Sequence, residues 1–119
     1  MYSLYQRDDM AKGNLGEFEL LVLLASVRLG EDEAYAVSIV DEIQARTDRA
    51  LHRAAVYITL QRLEKKGLIS TRLGDPLPER GGKARRLVRV EPAGREAVRQ
   101  SQHALQRMWV GLGQRLGER

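Results

Sequence analysis

Val56-Tyr57-Ile58-Thr59-Leu60-Gln61-Arg62-Leu63-Glu64-Lys65-Lys66-Gly67 is the stretch that decides the fold. At 100° per residue, Val56, Leu60 and Leu63 fall within about 60° of one another, while Gln61, Arg62 and Lys65 lie on or near the opposite side. The segment is therefore an amphipathic helix with an apolar stripe and a basic face, which is what a helix lying in a DNA groove requires. Gly67 ends it, since glycine takes a left-handed cap most readily. Leu68 to Leu73 then alternate apolar and polar with period two, which predicts a strand. A second strand is predicted from Arg85 to Val90, and the loop between, Gly74 to Ala84, is rich in Gly, Pro and basic residues. Helix, strand, basic loop and strand make the outline of a winged helix.

Upstream, Asn14 followed by Glu17 has capping-box spacing, and Leu15, Phe18, Leu21, Val22, Ala25 and Leu29 recur at helical spacing up to Gly30. The acidic turn Glu31-Asp32-Glu33 leads to Ala34-Tyr35, read as a short strand that pairs with the hairpin. Val37, Ile39, Val40 and Ile43 mark the apolar side of a second helix ending near Thr47-Asp48, and the turn Asp48 to His52 feeds the third. Downstream, Pro92 suits a first helical position, where its missing N–H is not needed. Val98, Leu105, Met108, Trp109, Leu112 and Leu116 then continue an apolar stripe that Gly111 and Gly113 should fray at its end. The expected class is α+β, mostly α: a winged helix-turn-helix with an additional long C-terminal helix. It divides into a polar segment (1–14), a DNA-binding domain (15–90) and a dimerisation helix (91–119).

At 119 residues the chain is one domain's worth, small enough that burying further surface in an oligomer would help. It has no cysteine, so a disulfide framework and a Cys-based zinc site are excluded, and a cytoplasmic address is expected. Residues 1–14 lack the apolar run of a signal peptide, and no stretch is long enough to span a bilayer. The net charge of +4 conceals an asymmetry: Leu51 to Val90 holds ten basic and three acidic residues, a balance of +7, while the remainder holds ten basic and thirteen acidic, a balance of −3. Net positive charge concentrated in the helix and wing, on an otherwise slightly acidic chain, is the footprint of a nucleic-acid surface, although charge alone is equally compatible with a solvated basic face.

Enzyme chemistry finds no support. His52 and His103 fall in different elements without metal-ligand spacing, and Gly81-Gly82-Lys83 lacks the strand before and helix after that a phosphate-binding loop needs. Neither a metal nor a cofactor is expected.

The chain resembles the PadR family of transcriptional regulators, in its short form with a single C-terminal helix. The resemblance is carried by the leucine-rich run Leu15 to Leu24; by Val56-Tyr57, Leu60, Arg62-Leu63-Glu64 and Gly67-Leu68-Ile69; and by Arg85-Arg86, Arg89-Val90 and Pro92-x-Gly94-Arg95. It covers about Leu15 to Trp109. Three positions depart from the family pattern: His52-Arg53 replaces a Ser-Pro cap, Leu87-Val88 an aromatic pair, and Glu91 a threonine. The resemblance implies a homodimeric repressor of double-stranded DNA, released by a small aromatic or lipophilic inducer. A winged helix used as a protein-interaction module, its basic face serving an acidic partner, is the alternative from another class.

On the DNA side, Arg53 at the helix start, next to His52, matches the guanine O6/N7 edge or a phosphate. Tyr57 borders the apolar stripe, where its hydroxyl can reach a phosphate. Gln61 points outward toward base or solvent, and Arg62 and Lys65 toward the DNA backbone. Ile58 can meet a thymine methyl or mark an exposed spot. Arg80, Lys83 and Arg85 belong to the wing, for the minor groove or flanking phosphates. Arg86 and Arg89 instead cover the outer face of the sheet. A three-helix winged domain closes its own core, so the last helix is expected to pair with another copy. That pairing would use Val98, Leu105, Met108, Trp109 and Leu112, against Phe18 of the partner's first helix, rather than a fold-back on its own domain. Any effector pocket would involve Trp109.

Overall fold

The computed structural model describes residues 15–76, 81 and 84–117. Three helices come first, α1 (Glu17–Leu29), α2 (Ala36–Thr47) and α3 (Arg53–Lys65). An antiparallel hairpin, β1 (Ile69–Pro76) and β2 (Ala84–Val90), follows, and then a long helix α4 (Pro92–Trp109). Val22 and Leu23 of α1, Ile39 of α2, Val56 and Leu63 of α3 and Val88 of β2 are fully buried together, so the three helices and the hairpin enclose one core.

The entry to α1 differs from the capping box expected at Asn14, which lies outside the described residues. Gly16 is the N-cap, and its N–H donates to Glu19 Oε1 at 3.0 Å. The other Glu19 oxygen accepts from Lys66 Nζ at 2.9 Å, with the carboxylate side chain 8% exposed. One carboxylate thereby caps α1 and fastens it to the far end of α3. At the same end of α1, Arg49 donates to both Glu17 oxygens at 3.1 Å. This hydrogen bonding, and then the charge of Arg49, holds the Glu17 carboxyl below its ordinary value of 4.5. A depressed folded pKa contributes stability above the ordinary value that is lost as pH falls through the lowered one. Both side chains are largely in solvent, so the contribution is small and salt-sensitive. Glu17→Gln is expected to lower the urea midpoint slightly at pH 7 in low salt and not at all at pH 3 or in high salt; a pH-independent difference would refute the linkage.

α2 begins where Ser38 Oγ accepts from the Tyr35 N–H at 3.0 Å and donates to the Glu33 carbonyl at 2.7 Å. It ends on Asp48 at φ 58°, a left-handed cap that Asp tolerates better than most residues. The turn to α3 completes the helix-turn-helix. α3 closes in a Schellman motif: the Leu68 N–H donates to Leu63 O and the Gly67 N–H to Glu64 O, both at 3.0 Å, with Gly67 at φ 76°. The motif reverses the chain so that Leu68 and Ile69 re-enter the core at once.

The hairpin pairs Ile69 with Val90, Thr71 with Val88 and Leu73 with Arg86, then slips between Leu73 and Pro76 before Pro76 meets Ala84. β1 therefore runs three residues past the expected Leu73, and the wing loop is shorter than Gly74 to Ala84. Proline is accepted there because it sits at the irregular end of a two-stranded ladder. No strand forms at Ala34-Tyr35 among the described residues: the Val88 N–H donates to Ala34 O at 2.8 Å, but Tyr35 is already the N-cap of α2 and the chain must turn.

α4 rests on the body only at its start, where Gly94 and Ala97 are buried and Val98 is partly so. Beyond Ser101 every residue to Gly111 is exposed. The helix stops at Trp109 and the chain turns at Gly111, so Leu112 and Leu116 lie in succeeding turns rather than on the helical stripe expected from their spacing.

Candidate nucleic-acid interface

The exposed half of α3 is built by its own periodicity. With Val56, Thr59, Leu60 and Leu63 turned into the core, Arg53, Tyr57, Ile58, Gln61, Arg62 and Lys65 are all solvent-facing, Tyr57 at 48% and Ile58 at 55% exposure. Ala54, exposed between Arg53 and Ile58 on the same arc, went unnoticed in the sequence; beside a longer arginine it leaves room for close approach of a base. His52 is the N-cap, and its side chain makes no capping hydrogen bond. The Ala55 N–H donates to the His52 carbonyl at 3.0 Å, and the helix dipole at this start favours negative charge.

Cations divide into two groups. Among the described residues, Arg53, Arg62 and Lys65 have no carboxylate partner. Those of the hairpin are engaged with the protein. Arg72 donates to Asp32 Oδ1 at 2.9 Å and to the Glu31 carbonyl at 3.2 Å, Arg86 to Thr71 Oγ1 at 3.1 Å, and Arg89 lies 3.9 Å from Glu91. Arg85 stacks over the Tyr35 ring, 5.4 Å from its centroid, with Nε buried and unbonded. It is drawn against the first turn of α2. Arg80 and Lys83 lie outside the described residues. Arg86 and Arg89 are both exposed, but three residues apart on one strand they face opposite sides of the sheet: Arg86 lies on the α3 side with Val88 and Thr71, not on the outer face expected of it.

A second surface is carried by α1 and α4. Leu105, Met108 and Trp109 of α4 are 50%, 74% and 55% exposed. Leu105 and Trp109, with Leu20, Leu24 and Val98, flank an apolar groove of about 550 Å³ between α1 and α4 that also carries Gln102 and Gln106. Phe18 and Val98 pack partly against the chain's own core, and Leu112 is half-buried. Leu20 and Leu24 were missed in the sequence. The available signal was the leucine content of α1 itself, since a helix apolar on nearly all sides must be covered on more than one.

Among the described residues no cluster of His, Asp or Glu could hold a metal, and no helix is long and apolar enough to cross a membrane. A helix-turn-helix with unpaired cations on its third helix, followed by a two-stranded wing, defines a winged-helix DNA-binding regulator. The chain belongs to the PadR-like family of transcriptional regulators, whose family model matches residues 23–100. No curated relative matches the sequence. Solved structures share the fold. A PadR family regulator from Eggerthella lenta is 23% identical, with 94% of this chain and 96% of that one covered at a TM-score of 0.63. A PadR-like regulator from Bacillus cereus is 16% identical over 93% and 99%, at 0.65. A transcriptional regulator from Clostridium thermocellum is 20% identical over 76% and 81%, at 0.61.

Proposed function

We propose that this chain is a cytoplasmic repressor of the short PadR type that binds a palindromic operator as a homodimer. Residues 15–90 form the DNA-binding unit, and the following segment dimerises through α4. The observation that carries the reading is the separation of charge: Arg53, Arg62 and Lys65 are left unpaired on the outer face of α3, while the hairpin arginines Arg72, Arg86 and Arg89 have partners within the protein. A cation without a protein partner gives up no internal bond when it meets a phosphate or a base edge.

In the dimer the two α3 helices stand about 34 to 36 Å apart, one turn of duplex, so half-sites are centred about 10 base pairs apart or a multiple of that. The groove between α1 and α4 takes a small aromatic or lipophilic inducer against Trp109, and a change in the α4 angle alters the spacing of the reading helices.

Selection of bound duplexes from a random pool tests the reading. A palindromic consensus retained against excess random DNA is the expected result; capture of an acidic protein with no affinity for any duplex would replace it with the interaction-module alternative. Within the selected site, Arg53→Ala should reduce discrimination against random DNA by about 1 to 3 kcal/mol. Lys65→Ala should weaken both alike and lower the salt slope by about one unit. Equal loss on both sequences for Arg53→Ala would remove its base-reading role.

A further inference from the structure

The hairpin joins the common core only at its base, while Leu87 is buried beside Gly74 of the neighbouring strand outside that core. Ile69, Val88 and Val90 are buried in the common core, but Leu73, three residues above Thr71's predecessor Ser70 on β1, is already 63% exposed. At the level where the core runs out, a polar chain takes over. Arg86 Nη1 donates to Thr71 Oγ1 at 3.1 Å, and Thr71 Oγ1 lies 3.1 Å from Glu64 Oε2. Its polarity is fixed by chemistry: a guanidinium only donates and an ionised carboxylate only accepts, so the threonine hydroxyl must accept from Arg86 and donate to Glu64. Glu64 belongs to the last turn of α3, Thr71 to β1 and Arg86 to β2, so three elements are joined through one hydroxyl. Glu64 is also the sole acidic residue of α3, set among Arg62, Lys65 and Lys66 on a surface that otherwise selects for positive charge.

We infer that Glu64, Thr71 and Arg86 form a strut that fixes the angle of the wing on the recognition helix, making Thr71 and Glu64 positioning residues for DNA reading. This rests on the DNA-binding reading above. An exposed network of this kind adds little to global stability. Its effect falls on geometry, because side chains that read bases must be held within about 0.5 Å and 10 to 20° of the productive arrangement. A two-stranded hairpin without further support is marginally ordered. The same argument explains an acidic residue beside DNA: it is held off the DNA by a protein donor.

Thr71→Val tests the strut without changing charge, shape or strand preference, and Thr71→Ser restores the hydroxyl. In the free protein, T71V should release the Arg86 guanidinium, seen by NMR as increased mobility of its Nε–Hε group, with the thermal midpoint unchanged. On a duplex selected by the wild-type chain, T71V should bind about five- to tenfold more weakly, roughly 1 to 1.4 kcal/mol. The salt slope should be unchanged, and T71S should bind as wild type does. Loss of a direct phosphate contact would instead lower the slope by about 0.9. Wild-type affinity in T71V, a lowered slope, or an Arg86 group equally mobile before and after substitution would each overturn the strut. A wild-type chain that binds no duplex overturns the functional reading, and with it the positioning role, even where NMR finds the strut intact.

Discussion

Gly94→Ala is expected to be among the most damaging single-methyl changes in this protein. A Cβ at position 94 would sit 2.3 Å from the Leu68 carbonyl oxygen, 3.2 Å from the Leu68 carbonyl carbon and 2.9 Å from Val90 Cγ1. The obstacle is backbone, and that carbonyl already accepts the Glu91 N–H at 2.9 Å where β2 passes into α4. To admit the methyl, α4 must lift from the sheet, which stretches this bond and pulls Ala97 from the core. Overpacking costs about 1 to 3 kcal/mol and the lost bond about 1 more, against which alanine returns roughly 0.8 to 1 in helix propensity. A net loss of about 1 to 3 kcal/mol should lower the thermal midpoint by about 4 to 15 °C in a domain of this size. Gly67→Ala gives the contrast. Nothing lies within 4 Å of its Cβ position, and only the left-handed backbone at φ 76° opposes the change, for about 1 to 2 kcal/mol. Thermal denaturation followed by circular dichroism ranks the two; a Gly94→Ala midpoint within 2 °C of wild type would show that the close approach carries no cost.

The Pro92-x-Gly94 spacing was legible in the sequence as a helix start, but the reason for the glycine was not. It depends on a carbonyl 26 positions earlier. The same distinction runs through the fold. Helices α1 to α3 and the hairpin follow from periodicities that act within a few residues, and each was found close to its expected place. Features that failed or went unseen join distant positions. Glu19 reaches Lys66 across 47 residues, and Arg85 stacks on Tyr35 from another element. The expected third strand at Ala34-Tyr35 lost to the capping of α2, and the stripe through Leu112 and Leu116 could not reveal that the helix stops at Trp109. On the candidate DNA face, amphipathicity alone placed Arg53, Ile58, Gln61, Arg62 and Lys65 outward, whereas Tyr57, read at the border of the apolar stripe, is 48% exposed. Which arginines stay unpaired is a tertiary property, since only the folded hairpin brings Asp32 to Arg72 and Thr71 to Arg86.

The proposed dimer yields the other large effect, and Leu105→Asp is the substitution that should expose it. Leu105 is half exposed in the single chain, where it contributes little to the core, so an aspartate there leaves the winged domain folded. Its place in the dimer is different. Leu105 and Trp109 line the groove opposite Leu20 and Leu24 of α1, Met108 of the same helix is 74% exposed, and in the proposed dimer the second subunit covers this apolar surface. Fully burying a leucine, methionine or comparable side chain is worth about 1.5 to 3 kcal/mol, and a two-fold axis counts every residue twice. Leu105→Asp removes that gain in both subunits and desolvates two carboxylates, so dissociation should become at least about 100-fold more favourable, near 2.7 kcal/mol. Sedimentation should report a dimer for the wild-type chain and a folded monomer for the variant at the same micromolar concentration. Trp109, the one tryptophan of the chain, gives an independent reading: its emission should be blue-shifted in the dimer and move to the red in the variant. Loss of operator binding should accompany dissociation, because one α3 helix contacts only half a palindrome. A monomeric wild-type chain would refute the dimer outright, and a Leu105→Asp variant that stays dimeric with unshifted emission would place the contact elsewhere than on this face of α4.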